Sequence, residues 1–376
     1  MVAVTELSFL DVFGSLEDPR SSRNRLYTMS ELLLTCLCAA VCGAEGWQDV
    51  EDFGHAKIDY LRSILPFSNG IPSDDTFRRF FRALDPSAFQ ELFVEWVRQL
   101  QPTLKSDVIA IDGKSSRHSF DDDKSMLHMV SAFATEARLV LGQEKVSQKS
   151  NEITAIPKLI EALDVRGSTV TIDAMGCQHT IAEKICRKEG HYILGLKGNQ
   201  GSLYDDVKTH LQDIEIIQKL PSHTEWDKGH GRLESRTCYV SFDVDWLVER
   251  HSKWGSIACL IRLDSIREIK GKKSLETRYY IASNKNLSTE KALNQIRSHW
   301  AIENSLHWVL DMSFGDDMSR IRKENAPQIM AIIRHIALNL LQTAKNNMKR
   351  QSIKRLRKVA GWNDDSLSSI ISQKFS

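Results

Sequence analysis

Val108-Ile109-Ala110-Ile111-Asp112 and Thr169-Val170-Thr171-Ile172-Asp173 are two short runs rich in β-branched residues, and each closes on an aspartate. Unbroken apolar runs of this length suit central strands covered on both faces. A carboxylate there is costly, because desolvating it takes several kcal/mol unless something compensates. A turn or a helix cap explains either aspartate alone, and turns do follow both, through Gly113 and through Ala174-Met175-Gly176. Repetition of the pattern points to a shared task.

A third acid joins them in Ser298-His299-Trp300-Ala301-Ile302-Glu303-Asn304. At roughly 100° per residue, Ile296, Trp300, His307 and Leu310 lie within about 60° of Glu303. The helix expected over Glu290–Leu310 therefore carries Glu303 on the side that packs against the sheet. Either His299 or His307 pairs with it, or it coordinates a cation. Two strand-end aspartates and a helical glutamate suit paired divalent metals that act on phosphodiesters. Magnesium prefers carboxylate and phosphate oxygens, and two ions sharing carboxylates activate the attacking oxygen and stabilise the leaving one.

Around these runs the expected order is three strands, a helix, a strand, a helix and a strand. The strands are 107–112, 127–135, 138–146, 169–173 and 192–196, with helices over 152–163 and about 178–189. That order is the ribonuclease H-like fold, in which functional groups gather at strand ends. More chain separates Asp173 from Glu303 than one helix and one strand need, so a β-rich insertion is expected at about 201–289. It opens with a helix over 202–211, followed by strands over 236–242, 254–264 and 276–283 and a hairpin tip at Gly271-Lys272-Lys273. Where it begins, His230, Arg232, Glu234 and Arg236 alternate and share a face. His230 and Arg232 either contact phosphate or join a surface ion-pair ladder through Glu234. Lys197, ending the strand near the acids, is a candidate phosphate ligand.

Residues 1–104 read as an all-helical N-terminal domain. Helices are expected over Glu31–Gly43, Glu51–Leu65, the segment after Ser73, and Ser87–Leu100. Arg78, Arg79 and Arg82 lie off the apolar face made by Phe77, Phe80, Phe81 and Leu84. A helix, a turn and an arginine-bearing helix can read DNA; a plain bundle with a solvated basic face is the alternative. Residues 105–345 form the expected catalytic domain, and 346–376 a basic C-terminal helical segment.

The chain of 376 residues has 50 basic and 49 acidic side chains, so total charge does not announce a nucleic-acid binder. Between Arg320 and Lys358, however, eleven basic residues face one acid, Glu324. Such clusters, with Arg320, Arg322 and Lys323 at their head, attract a phosphate backbone without reading sequence. A solvated tail beyond residue 345 is the bland alternative. Seven cysteines, an odd number, and an acidic first twenty residues lead to the expectation of a reduced, cytoplasmic protein. Cys36, Cys38 and Cys42 are read as core residues. The apolar stretch Leu32–Ala44 is shorter than the about 20 residues a bilayer needs, and reads as a buried helix.

Longer motifs carry a resemblance. Ala110-Ile111-Asp112-Gly113-Lys114, Ser150-Asn151-Glu152-Ile153-Thr154-Ala155-Ile156-Pro157, Thr171-Ile172-Asp173-Ala174-Met175-Gly176-Cys177-Gln178 and Leu196-Lys197-Gly198-Asn199-Gln200 are part of it. Gly229-His230-Gly231-Arg232-Leu233-Glu234, the stretch from His299 to Trp308, and Ser319-Arg320-Ile321-Arg322-Lys323 complete it. Together they resemble the bacterial insertion-sequence DDE transposases to which the H-repeat-associated proteins belong, and Gly70–Phe77 is similar to that family's associated helical domain. The resemblance implies a ribonuclease H-like core that cleaves and joins DNA strands with two magnesium ions, manganese being able to substitute. It implies Asp112, Asp173 and Glu303 as catalytic and metal-holding residues, double-stranded DNA as partner, and at least a homodimer for synapsis. Many wider DDE relatives have tyrosine and arginine before the glutamate and lysine after it. Here His299 and Leu310 stand at two of those places, and the H-repeat-type proteins carry the histidine form. Rival readings are a DNA-binding descendant that no longer catalyses, and a nuclease of this fold acting on RNA hybrids or junctions.

Overall fold

The computed structural model describes residues 8–23, 25–100, 107–119, 126–147, 151–229, 232–347 and 351–372. Its centre is one nine-stranded sheet in the order β3-β2-β1-β4-β5-β9-β8-β7-β6. The strands are β1 (Val108–Ser116), β2 (Leu127–Ala134), β3 (Leu139–Lys145), β4 (Thr169–Ile172), β5 (His191–Leu196), β6 (Ser222–Gly229), β7 (Arg232–Ser241), β8 (Cys259–Ile269) and β9 (Lys272–Ala282). β1, β4 and β5 run parallel, linked by the helices Glu152–Ala162 and His179–Arg187, while β2 and β3 pair antiparallel outside β1. The β2–β3 turn is tied back to the start of β1, because the Asp107 carboxylate accepts from the N–H groups of Glu136 (3.0 Å) and Ala137 (3.1 Å).

The expected insertion is not a separate lobe. β9 pairs antiparallel with β5, Leu196 opposite Tyr279, so the four later strands extend the core sheet. Local alternation could not show this, since the pairing joins segments far apart in the chain. β6 was not among the expected strands; its residues are almost all polar and half to fully exposed, which erases the periodicity of a half-buried strand. The β8–β9 tip sits at Lys270-Gly271, both with positive φ, one residue before the expected place.

The helix expected over Glu51–Leu65 is two, Trp47–Ala56 and Ile58–Arg62, broken at Lys57. The long helix expected over Glu290–Leu310 is also interrupted. Thr289–Ser298 is α-helical, Ile302–His307 is a π-helical turn, and Trp308–Phe314 resumes the α-helix. The Trp308 N–H donates to the Glu303 carbonyl five residues back, so one extra residue is absorbed in this turn. Such bulges occur often at functional sites.

The largest apolar cluster among the described residues joins the N-terminal helices to the sheet. It runs from Phe13, Leu37 and Phe93 through Ile109, Ile111 and Val170 to Ile332 and Leu341 on the 22-residue helix Ala326–Asn347. Met29–Cys42 packs on that helix and is almost wholly buried, Cys36 and Cys38 included, and burial pushes both thiols up. Among the described residues no single helix is long and apolar enough to cross a membrane. The C-terminal helices Ile353–Trp362 and Asp364–Ile371 pack on Met29–Cys42 as well.

Candidate active site

Parallel pairing of β1 with β4 ends at Ile111 opposite Ile172. Asp112 and Asp173 are the next residues on neighbouring strands, whose backbones lie about 4.8 Å apart. Asp112 does not end β1, as the sequence suggested: β1 continues to Ser116 against β2 after β4 has stopped. The aspartate thus stands at a fork, where one partner strand has left and side chains from elsewhere can approach. Asp173 is held by a tight turn, its Oδ1 accepting from the N–H groups of Met175 (3.0 Å) and Gly176 (3.4 Å).

Glu303 approaches across this fork on the π turn. The ligand-type atoms of Asp112, Glu303 and His307 all lie within 4.8 Å of one another. His307 Nδ1 is 3.5 Å from Glu303 Oε2 and 3.7 Å from Asp112 Oδ2. Asp173 lies outside that trio but shares a cleft of ≈ 510 Å³ with Asp112, Glu303, Lys197 and His299. Glu303 does not face the sheet as the helical wheel suggested. Its side chain is 48% exposed and Trp300 is 52% exposed, while Ile302, Leu306 and Leu310 fill the core. Glu303 therefore borders the packed face and looks into the cleft.

Burial pushes the Asp112 carboxyl up to about 8, and a hydrogen bond shared with Glu303 and the nearby negative charge of Glu303 and Glu152 push the same way. Two carboxyls this close share a proton when nothing else neutralises them. A divalent cation does the same job, and the donors offered, mostly carboxylate oxygens, match a hard metal ion. His299 makes its hydrogen bond elsewhere, its Nδ1 lying 3.0 Å from Thr171 Oγ1. Burial holds both His299 and His307 below the usual imidazole range, although the carboxylates nearby pull them upward.

Several site residues had no signal in the local pattern. Lys114 Nζ is 2.7 Å from Asp311, 3.0 Å from Asp317 and 3.5 Å from Asp316. Asp316 is itself bonded to Ser116 Oγ (2.9 Å) and to Arg334 (2.6 Å). This network anchors the far end of β1 to the helix Ala326–Asn347. On the opposite side of β1, His128 links Ser115 (2.6 Å) to Glu152 (2.9 Å). Gly113 packs beneath that Glu152 carboxylate, and a Cβ there would meet Oε1 at 2.1 Å. Arg278 lies over the Trp300 ring, 5.9 Å from its centre, on the cleft wall.

The other candidate DNA contacts are scattered. Lys197 lies in the cleft. Arg78 is paired with Asp74 and Asp75, Arg79 with Asp75, and Arg82 with Glu324. Arg232 Nε is 3.9 Å from Glu234, a buried carboxylate also held by Arg236 (2.8 Å) and Arg267 (3.4 Å). Arg322 donates to the His118 carbonyl at 2.9 Å, while Arg320 and Lys323 are exposed. His230 lies outside the described residues.

Two parallel strands that set aspartates side by side where their pairing stops, with a helical glutamate brought against the first, have the layout of a ribonuclease H-like core. Residues 103–340 match the family model described as "Transposase DDE domain", and residues 10–97 match its companion, "DDE_Tnp_1-associated". "Putative transposase YncI" of Escherichia coli O157:H7 is 40% identical over 95% of this chain and 92% of its own. "H repeat-associated putative transposase YhhI" of Escherichia coli K12 is 39% identical over 95% of both chains. A cryo-EM structure of the piggyBac transposase synaptic complex with hairpin DNA superposes at a TM-score of 0.44 with 10% identity, covering 97% of this chain and 77% of that one. That likeness is too slight to add weight. The chain belongs to the DDE transposase family, as its motifs suggested, and is an insertion-sequence transposase, an enzyme of a family that uses divalent metal.

Proposed function

We propose that Asp112, Asp173 and Glu303 together hold two Mg²⁺ ions, with Mn²⁺ able to substitute, and that DNA cleavage and strand transfer occur in the cleft they line. The observation that carries this reading is the fork at Ile111–Ile172, which leaves two aspartates adjacent, with Glu303 brought against the first. When bound, the ions supply charge to the attacking and leaving oxygens of an in-line displacement. Water opens the phosphodiester at an element end and frees a 3′-hydroxyl, which then attacks a target phosphodiester in the same cleft. Lys197 faces a phosphate there, and Trp300 with Arg278 walls the path of the strand.

Double-stranded DNA, both element ends and target, is the partner. Bringing two ends together calls for a homodimer or a larger assembly. Arg78, Arg79, Arg82, His230, Arg232, Arg320, Arg322 and Lys323 are proposed as phosphate contacts. For those already paired with carboxylates, binding exchanges one anion for another. Residues 1–104 form the DNA-binding helical unit, 105–345 the catalytic unit and 346–376 the basic C-terminal segment. The enzyme works in the cytoplasm, on the nucleoid.

The test is nicking of a duplex carrying the inverted repeats that flank the gene, with Mg²⁺ or Mn²⁺ added. Wild-type protein nicks, and Asp112→Asn, Asp173→Asn and Glu303→Gln each lose at least about a hundredfold of the rate. Undiminished nicking by Asp112→Asn, or none by wild type, would falsify the assignment.

A further inference from the structure

His307 is not one of the three acids, yet its Nδ1 is the atom that touches two of them, at 3.5 Å from Glu303 and 3.7 Å from Asp112. Ligands at adjacent corners of an octahedron around a small divalent ion lie about 3.0 Å apart, and opposite ones about 4.2 Å, given bonds near 2.1 Å. The three side chains, all within 4.8 Å, sit close to that range.

The other ring nitrogen supplies an independent observation. His307 Nε2 is buried and has no hydrogen-bond partner among the described residues. Neither do both amide atoms of Gln143 on β3, nor Nδ1 of His335 on the helix Ala326–Asn347. All three side chains line one cavity of ≈ 20 Å³ behind the cleft. A single water needs about 10–15 Å³ and two to four polar partners, and this cavity offers both. An imidazole bound to metal through one nitrogen almost always donates its other N–H to a carboxylate, a carbonyl or a water.

We propose that His307 is a further ligand of the cation held by Asp112 and Glu303, bound through Nδ1, with Nε2–H donating to a water that Gln143 and His335 share. This rests on the metal-binding reading of the acids. It adds a nitrogen donor to an oxygen site, which shifts preference from Mg²⁺ towards first-row ions such as Mn²⁺. Glu303 and His307, four residues apart on this turn, face Asp112 together. Gln143 and His335 are positioning residues that keep the Nδ1 lone pair aimed at the ion.

The probe is Mn²⁺ alone, added to full-length protein without DNA, read by pulsed electron paramagnetic resonance and by titration calorimetry. Wild-type protein labelled with ¹⁵N-histidine shows the coupling of a directly bound imidazole. The coupling persists in His299→Gln and vanishes in His307→Gln, where Mn²⁺ affinity falls at least about tenfold. Gln143→Leu keeps the coupling and weakens Mn²⁺ about tenfold, the usual effect of losing an outer-shell partner. Mn²⁺ binding that needs Asp112 but shows no histidine coupling, or one that His307→Gln leaves untouched, overturns the role of His307 and leaves the three acids standing. Should Asp112→Asn bind Mn²⁺ as well as wild type does, the reading of the acids fails first and this one with it. The wild-type labelled spectrum needs no variant, so a misfolded His307→Gln does not spare the proposal.

Discussion

Arg334 and Asp316 are 4% and 5% exposed and meet at 2.6 Å, with Ser116 and Lys114 completing the carboxylate's surroundings. Replacing Arg334 by methionine keeps the bulk of the side chain and strands a buried carboxylate. Losing one partner of a buried pair costs about 3–5 kcal/mol. Lys114 remains 3.5 Å away and offsets part of this, so the lower end of the range is expected. Arg334→Met with Asp316→Leu removes both charges, and costs about 2 kcal/mol less than Arg334→Met alone.

The pH response separates this account from a loss of packing. Burial acts most strongly on Asp316 and pushes its carboxyl up, but the charges of Arg334 and Lys114 hold it below the usual carboxylate value. Its contribution to stability is therefore present above about pH 4 and fades as pH falls through the folded value. Without Arg334, burial prevails and the folded value lies above the unfolded one. The sign of this one contribution then reverses, so that Arg334→Met recovers stability relative to the wild type as pH drops from 7.5 to 5. Urea unfolding of the four combinations at both pH values, followed by tryptophan fluorescence, measures the cycle. A cost below about 1 kcal/mol for Arg334→Met at pH 7.5, or a pH response parallel to wild type, would refute the argument.

Gly113→Ala drives a methyl group into the Glu152 carboxylate beside the first aspartate. Nicking should fall about a hundredfold, the effect of a displacement near 1 Å, with partial recovery in Gly113→Ala with Glu152→Ala. His335 is held down to about 3 by burial and is neutral when folded. Its folded value lies below its unfolded one, so its contribution is complete above about pH 6.5 and declines by about 1.4 kcal/mol per pH unit below that. The difference in unfolding free energy between wild type and His335→Gln, measured from pH 7 to 5.5, should follow this slope, and a difference that does not change with pH would refute it. Lys197→Ala should weaken duplex binding uniformly across sequences and lower the slope of log affinity against log salt by about 0.9. An unchanged slope would remove Lys197 from the phosphate path.

The three acids proposed as the metal site stand out in the chain because each is a local contradiction. An aspartate closing a β-branched run, or a glutamate bordering an apolar helical face, violates the pattern around it, and such violations tend to mark function. Arg78, Arg79 and Arg82 show the limit of the same approach. Asp74 and Asp75 hold Arg78 and Arg79 at the i,i+3 and i,i+4 spacing of one helix, which the chain itself displays, but Glu324, which holds Arg82, is visible as a partner only in three dimensions. The polar edge strand Ser222–Gly229 lacked the alternation by which strands are recognised.

By itself, the order of amino acids determined the strands that lead into Asp112 and Asp173, the helical segment bearing Glu303 and the motifs of the family, because these rest on periodicity and composition within a few residues. Only the tertiary structure decided that β5 and β9 join into one sheet, that Glu303 arrives on a π turn, and that His307 Nδ1 meets two carboxylates. It also placed Lys114, Asp316 and Arg334 around one buried charge. Those are contacts between segments far apart along the chain. Each depends on how whole elements pack, and short-range patterns carry no record of that.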